Sequence, residues 1–372
     1  MSFKRGAVVH LLPTLEMGGM ERMVVALSRE LAQRGWTVGV ICTRDEGELA
    51  AGLRLDGIAV SVLPVGGAAS WLGPRAIIDQ FHASRPDVVH SHSGFWLRAM
   101  VAASRARVGS RVHTVHGLHQ QEPWWGTTEK FLAARLSGAI ACVSPPLADY
   151  LSESCRVPRS RLHQIPNGID VVRFAAARRG QLRQRLGLSP DAFVLGTVAR
   201  LAPIKNLELT FGPLAQLAAA GIDAHFVIAG DGPTRAELAA TAWRMGVGAR
   251  VHFLGMVDDP TTVLPELDLF LITSHAEGTS LSLLEAMASG LPCVATAVGG
   301  NPEVLADGAA GRLIPANDAG TLAHALRDLI ASPAERSRLG AAGQRRVQQR
   351  YSLHAMVDAY ESLYDRLMSA TG

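Results

Sequence analysis

Residues 267–296 read LDLFLITSHAEGTSLSLLEAMASGLPCVAT, and this one stretch decides the fold class. Its opening run, LDLFLIT, is strand-sized and too continuously apolar for a half-exposed strand, which would alternate. Gly278-Thr279-Ser280 then leads into a helix over 280–288, with a Ser or Thr as its N-cap. A second apolar run follows at 292–296. Strand, helix and strand, with continuous apolar strands, make a parallel unit covered on both faces.

Working outward, the same alternation fills the chain. In the first half, strands are predicted at 7–12, 37–43, 58–63, 88–90, 111–115, 139–143 and 162–165, with amphipathic stretches such as 20–34 between them. In the second they fall at 194–199, 225–229, 251–253, 269–273 and 292–296, alternating with helices at 207–219, 233–245, 280–288 and 319–332. The pattern breaks around 173–188, in a basic segment. An α/β protein of two doubly wound, Rossmann-like domains is expected, over 1–180 and 181–350, followed by an amphipathic helix within 351–372. A chain of 372 residues suits two cores rather than one.

With 48% apolar, 19% charged and 5% aromatic residues, collagen-like, disordered and disulfide-stapled classes are excluded. No apolar run approaches the roughly 18 to 20 residues that span a bilayer. The opening MSFKRGAVVHLLP reads as a first strand rather than a signal peptide. Cys42, Cys142, Cys155 and Cys293 lie far apart and read as isolated buried thiols, which suits a reducing cytoplasm. No Cys/His spacing suggests zinc. Residues 1–186 hold 23 basic and 14 acidic residues, net +9, and residues 187–372 hold 13 and 19, net −6. Either the first half faces something anionic, such as a membrane surface or phosphorylated acceptor, or the surface simply drifts between domains. Nucleic acid is not favoured: the arginines are scattered, and no aromatic platform accompanies them.

In open parallel sheets, ligands gather beyond the carboxyl ends of strands, at helix N-termini. Four stretches lie there. Gly18-Gly19 follows the first strand and opens a helix, either as a close approach to an anion or as a plain tight turn. It is not the GxGxxG dinucleotide fingerprint, which disfavours a dehydrogenase. The strand 111–115 runs into His116-Gly117, whose histidine would project past the sheet; His113 reads as structural. Arg200 and Lys205, at a strand end and a helix start, are suited to holding a diphosphate. Glu277 precedes the helix start and Glu285 lies inside it; each is suited to vicinal hydroxyls of a sugar or ribose, and otherwise Glu277 only complements the helix dipole while Glu285 is exposed.

Taken in order, these stretches resemble the nucleotide-sugar glycosyltransferases of the GT-B architecture, family 4 type, over essentially the whole chain. Glu277-x7-Glu285 carries the resemblance furthest. Arg200 and Lys205 in GTVARLAPIKN, PNGID at 166–170, GDGP at 230–233, HFLG at 252–255 and Gly299-Gly300 add to it, with Gly18-Gly19 and His116-Gly117 in the first half. The resemblance implies two domains facing a central cleft, with the C-terminal helix packing back towards the first.

It also implies a metal-independent, retaining hexosyltransferase, without a cofactor beyond its nucleoside-diphosphate-sugar donor. The acceptor would be a carbohydrate or lipid-linked molecule, in cell-surface polysaccharide or glycolipid synthesis, with peripheral contact at the inner membrane face. Glu285 would take the ribose hydroxyls, and the backbone of Gly255, Met256 and Val257 the base. Arg200 and Lys205 would neutralise the leaving diphosphate. Glu277 and the backbone of Gly278, Thr279, Ser280 and Leu281 would hold the sugar and its phosphates. Gly18 and Gly19 would approach the phosphates, and His116 the reacting end of the sugar. His275 is unassigned. Rivals of the same fold are a sugar-nucleotide epimerase, a phosphorylase, or a catalytically dead scaffold that binds sugar nucleotides. Trp71, Trp124 and Trp125 are suited to stacking on an acceptor or touching lipid, or to a place in the core.

Overall fold

The computed structural model of the protein describes residues 5–66, 73–117, 126–177 and 179–371. Chain contacts divide it into two compact units, Met1–Gly168 with Leu353–Gly372, and Ile169–Ser352. Trp71, Trp124 and Trp125 lie outside the described residues.

The first unit is built on seven parallel strands: β1 (Ala7–Leu12), β2 (Thr37–Cys42), β3 (Ala59–Val62), β4 (Val88–His92), β5 (Ser110–Val115), β6 (Ala139–Cys142) and β7 (Leu162–Gln164). Their order across the sheet is β3-β2-β1-β4-β5-β6-β7. The chain starts centrally, runs outward to β3 and crosses back to β4, so the winding reverses between β1 and β4. The second unit repeats the plan with β8 (Phe193–Val198), β9 (Ala224–Ala229), β10 (Val251–Gly255), β11 (Leu269–Ile272), β12 (Cys293–Thr296) and β13 (Arg312–Ile314), in the order β10-β9-β8-β11-β12-β13. Here the reversal lies between β8 and β11. Such reversals open a crevice at the carboxyl ends of the strands.

Both faces of the second sheet are dry, as its continuous apolar runs require. Val194, Val227, Phe270 and Cys293 join one core cluster, and Leu195, Phe226, Leu271 and Val294 join another. All four cysteines are buried. Among the described residues, no helix is long and apolar enough to cross a membrane.

The division between units falls at Gly168, not at residue 180. Phe174 and Leu182 belong to the core of the second unit beside Val194 and Phe270. Arg183 donates to the Asp268 carboxylate at 2.7 Å, and Gly180 N donates to Glu266 Oε1 at 2.5 Å, so the basic segment is tied to the second sheet. This move removes the charge asymmetry. The first unit holds 19 basic and 16 acidic residues, net +3, and the second holds 17 of each. The strand at Arg312–Ile314 and the helix Pro333–Arg350 are additions to the elements read from sequence. The C-terminal helix, Leu353–Thr371, packs on the first unit: Trp36 Nε1 and Arg34 Nη1 donate to Glu361 at 2.8 and 2.6 Å, and Tyr364 reaches His90 at 2.6 Å.

Candidate active site

In the second unit the reversal between β8 and β11 brings Lys205 and Glu277 together. Lys205 ends a short 3₁₀ turn, Pro203–Lys205, that Asn206 closes in the left-handed region at φ 47°. Two hydrogen bonds stitch this turn to the loop after β11: Thr273 Oγ1 donates to Lys205 O at 3.0 Å, and His275 N donates to Ile204 O at 2.8 Å. His275 thus holds the turn through its backbone. The turn places Lys205 Nζ 2.7 Å from Glu277 Oε1, and Ser274 Oγ donates to the same oxygen at 2.6 Å. The Glu277 side chain is 9% exposed and the Lys205 side chain 25%. Thr197, Ser274 and Ser282 line the same small pocket. Arg200 is exposed beyond β8 and forms no ion pair among the described residues, so its guanidinium is open to an anion.

Glycines fix this loop cluster where side chains would not fit. Gly299 has φ 54°, and a Cβ there would collide with the Glu277 carbonyl. Gly300 N donates to Gly278 O at 3.0 Å, closing the loop around Glu277. Gly230, at φ 136°, packs its Cα face on the Ala199 carbonyl beside Arg200, and its N–H donates to Gly255 O at 2.7 Å. Met256 is exposed, whereas Val257 and Leu281 pack partly against the core.

Ser280 caps the helix Leu281–Ala288, its Oγ accepting from Leu283 N at 3.4 Å. Thr279 and Ser280 are buried. Glu285, on the same helix, is 1% exposed, so it is not the solvated side chain that a plain surface helix would carry. A carboxylate is held at that depth only against a demand for its chemistry or its partners.

In the first unit, Gly18 is the N-cap of the helix Gly19–Gln33, with φ −132°, beyond the end of β1. Arg22 N donates to Gly18 O at 3.0 Å, and Gly19 is exposed. A Cβ on Gly18 would meet the Glu21 carboxylate. His116 follows β5 and is joined to two histidines that sequence reasoning passed over. His116 Nε2 lies 3.1 Å from His92 Nδ1, and His92 Nε2 lies 3.1 Å from His10 Nδ1. His10, His90 and His92 offer donor atoms within 4.8 Å of one another. His90, however, uses both ring nitrogens, on Tyr364 Oη at 2.6 Å and Thr114 Oγ1 at 2.7 Å. Burial pushes His10 and His116 down to about 3, and lowers His90 and His92 as well, so all four are neutral rings at pH 7. His113 sits on the other face of the sheet, bonded to Ser91 and stacked on Trp96, a structural place. The signal for His92 was the His-x-His repeat on β4, which puts both rings on one face.

The family model described as Glycosyltransferase Family 4 matches residues 17–173, and that of Glycosyl transferases group 1 matches residues 178–346. A D-inositol 3-phosphate glycosyltransferase of Actinosynnema mirum is 31% identical, over 90% of this chain and 91% of its own. The chain belongs to the GT-B glycosyltransferases of the family 4 type. An Escherichia coli relative, the UDP-Gal:alpha-D-GlcNAc-diphosphoundecaprenol alpha-1,3-galactosyltransferase, is 31% identical over 64% of this chain and 65% of its own. Among solved structures, Anabaena Alr3699/HepE in complex with UDP aligns at a TM-score of 0.84 and 21% identity, covering 97% of this chain and 100% of that one. In this glycosyltransferase the Lys205–Glu277 pair and the buried Glu285 sit on a sheet whose fold is shared with Alr3699/HepE.

Proposed function

We propose that this glycosyltransferase moves a hexose from a nucleoside-diphosphate sugar to a carbohydrate or lipid-linked acceptor, with retention at the anomeric carbon and without a metal. The single observation that carries this reading is the Lys205–Glu277 pair, 2.7 Å apart at the winding reversal of the second sheet. A cation fixed beside a carboxylate there suits a ligand that is anionic at one end and hydroxyl-rich at the other. Lys205 and Arg200 take the diphosphate, and their charge grows in value as the glycosyl–oxygen bond breaks and the leaving group gains charge. Two protein cations supply the neutralisation that a divalent ion would otherwise give. Glu277, with the backbone of Gly278 to Leu281, holds the sugar, and Glu285 the ribose. Within the first unit, Gly18 and Gly19 suit a phosphate and His116 suits a sugar oxygen.

Retention follows if the acceptor hydroxyl attacks the face that the diphosphate leaves, with the departing phosphate taking its proton. A place in surface polysaccharide or glycolipid synthesis is supported by the diphosphoundecaprenol acceptor named for the Escherichia coli relative, and a cytoplasmic location is part of the same proposal. Contact with an anionic membrane has lost its charge argument, since the first unit carries only +3, and is not part of this proposal.

The test is a chromatographic assay of donor, with and without a pool of lipid-linked acceptors, in EDTA. Acceptor-dependent release of nucleoside diphosphate, unaffected by EDTA, with an α-linked product from an α-linked donor, is the expected result. Conversion of the donor alone into a second nucleotide sugar would replace this reading with an epimerase. Activity abolished by EDTA would remove its metal-independence.

A further inference from the structure

We infer that His10, His92 and His116 act as one hydrogen-bonded unit that fixes the tautomer of His116, so that His116 Nδ1 carries the proton and serves as a hydrogen-bond donor to a substrate oxygen. The inference rests on the reading of His116 as a sugar-contacting residue, and makes His92 and His10 positioning residues for it.

The argument is a proton count. Each neutral imidazole has one N–H and one bare nitrogen. Two contacts, His10 Nδ1 to His92 Nε2 and His92 Nδ1 to His116 Nε2, are both 3.1 Å, so each needs one proton between its nitrogens. If His92 carries its proton on Nδ1, it donates to His116 Nε2 and accepts from His10 Nδ1; all three rings are then Nδ1–H. If His92 carries it on Nε2, all three are Nε2–H. No mixed arrangement of neutral rings makes both hydrogen bonds.

The two ends decide between these states. His10 Nε2 and His116 Nδ1 are buried atoms with no hydrogen-bond partner among the described residues. His10 is fully buried on β1, where no ligand is expected. An orphaned N–H in such a place is rarer than an orphaned acceptor. The Nδ1–H state leaves His10 Nε2 as a bare lone pair and puts the proton at the other end, on His116. His90 cannot join the chain, because Tyr364 and Thr114 occupy its two nitrogens. The donor at His116 Nδ1 fits a hydroxyl or carbonyl oxygen and cannot act as a base.

Histidine tautomers are read directly from long-range nitrogen–proton NMR correlations on protein labelled with 15N-histidine, with single His→Phe variants for assignment. His10, His92 and His116 are expected all as Nδ1–H. His92→Phe removes the middle link and is expected to shift His116 towards the other tautomer and to lower kcat about tenfold, the worth of one neutral hydrogen bond, with donor KM unchanged. His92→Gln keeps one donor and one acceptor and is expected to restore both. His116 found as Nε2–H or as an imidazolium, or unmoved by His92→Phe, would overturn the inference. So would a stoichiometric metal on the purified protein whose removal changes the His10 and His92 signals. The NMR result stands apart from catalysis: if the wild-type protein transfers no sugar, the functional reading falls while the tautomers remain readable. If it transfers sugar but the tautomers differ, only this inference falls.

Discussion

Lys205 and Glu277 stand 72 residues apart in sequence and 2.7 Å apart in space, with Ser274 Oγ on the same carboxylate oxygen at 2.6 Å. The Glu277 side chain is nearly buried and the Lys205 side chain a quarter exposed, and the stitched loops around them hold the pair in place. It joins the group proposed for the diphosphate to the group proposed for the sugar. Lys205 has three donors and can hold Glu277 and a phosphate oxygen at once.

The charge on the leaving group grows in the transition state, so Lys205→Ala should lower kcat by about 10² to 10³, with a smaller change in donor KM. Because the two residues touch, Lys205→Ala combined with Glu277→Gln should cost less than the two single losses multiplied together. Steady-state kinetics of the four proteins checks this; strictly multiplicative effects would mean the pair does not act as a unit.

Glu285 is proposed to bind ribose hydroxyls, which change little during the reaction. Its loss should act on binding in ground and transition states alike. Glu285→Gln, which keeps the side-chain volume at this buried site, should weaken donor binding by about 1.5 to 3 kcal/mol, roughly tenfold to 150-fold, with kcat nearly unchanged. Isothermal titration with the donor and saturation kinetics measure the two quantities separately.

Gly299 tests the support rather than the chemistry. Its φ of 54° and its contact with the Glu277 carbonyl leave no room for a Cβ. Gly299→Ala should cost about 1 to 3 kcal/mol of stability and lower activity by displacing Glu277. Gly246, at φ 73° with nothing within 4 Å of its Cβ position, is the control. Gly246→Ala should carry the backbone strain alone and leave kcat/KM unchanged. Equal activity losses in both variants would separate Gly299 from the site.

Much of the fold was legible because continuous apolar strands leave few alternatives to a covered parallel sheet. LDLFLIT became β11 within a residue or two of its reading, and Ser280 became the helix cap. That Lys205 and Glu277 lie beyond strand ends was legible from the apolar runs before them, and the structure brings the two side chains to 2.7 Å. What escaped depended on partners distant in sequence. The basic segment 173–188 breaks the strand–helix alternation and reads as the domain boundary, yet Arg183 within it is bound to Asp268. The role of Gly299 shows only once the Glu277 carbonyl is beside it. His10 and His92 were passed over in the sequence; the parallel register sets His10 opposite His90 and His92 opposite Thr114, two residues before His116.

The buried histidines give the first unit a pH dependence. His10, His90, His92 and His113 are lowered by burial, His10 to about 3, against an ordinary value near 6.5. A histidine lowered on folding contributes stability that is fully present above about pH 6.5 and is lost as pH falls towards its folded value. Each such ring should remove about 1.4 kcal/mol per pH unit below 6.5. Five of the six tryptophans lie in the first unit, so fluorescence-detected urea unfolding reports on it. The midpoint should fall steeply from pH 7 to 5, and less steeply in His10→Phe. A flat midpoint over that range would contradict neutral burial of these rings.

The most direct measurement of the central claim is thermal unfolding of the purified protein with UDP, GDP and ADP sugars, each in wild type and in Glu285→Gln. A donor at 100 times its dissociation constant stabilises the folded state by about 2.7 kcal/mol. One nucleotide series should raise the wild-type midpoint, and the same concentration should give a clearly smaller rise in Glu285→Gln, from about 1.4 kcal/mol for a tenfold loss of affinity down to about 0.3 kcal/mol for a 150-fold loss. If none of the nucleoside-diphosphate sugars moves the wild-type midpoint, or if both proteins respond alike, the site built around Lys205, Glu277 and Glu285 does not bind the donor as described.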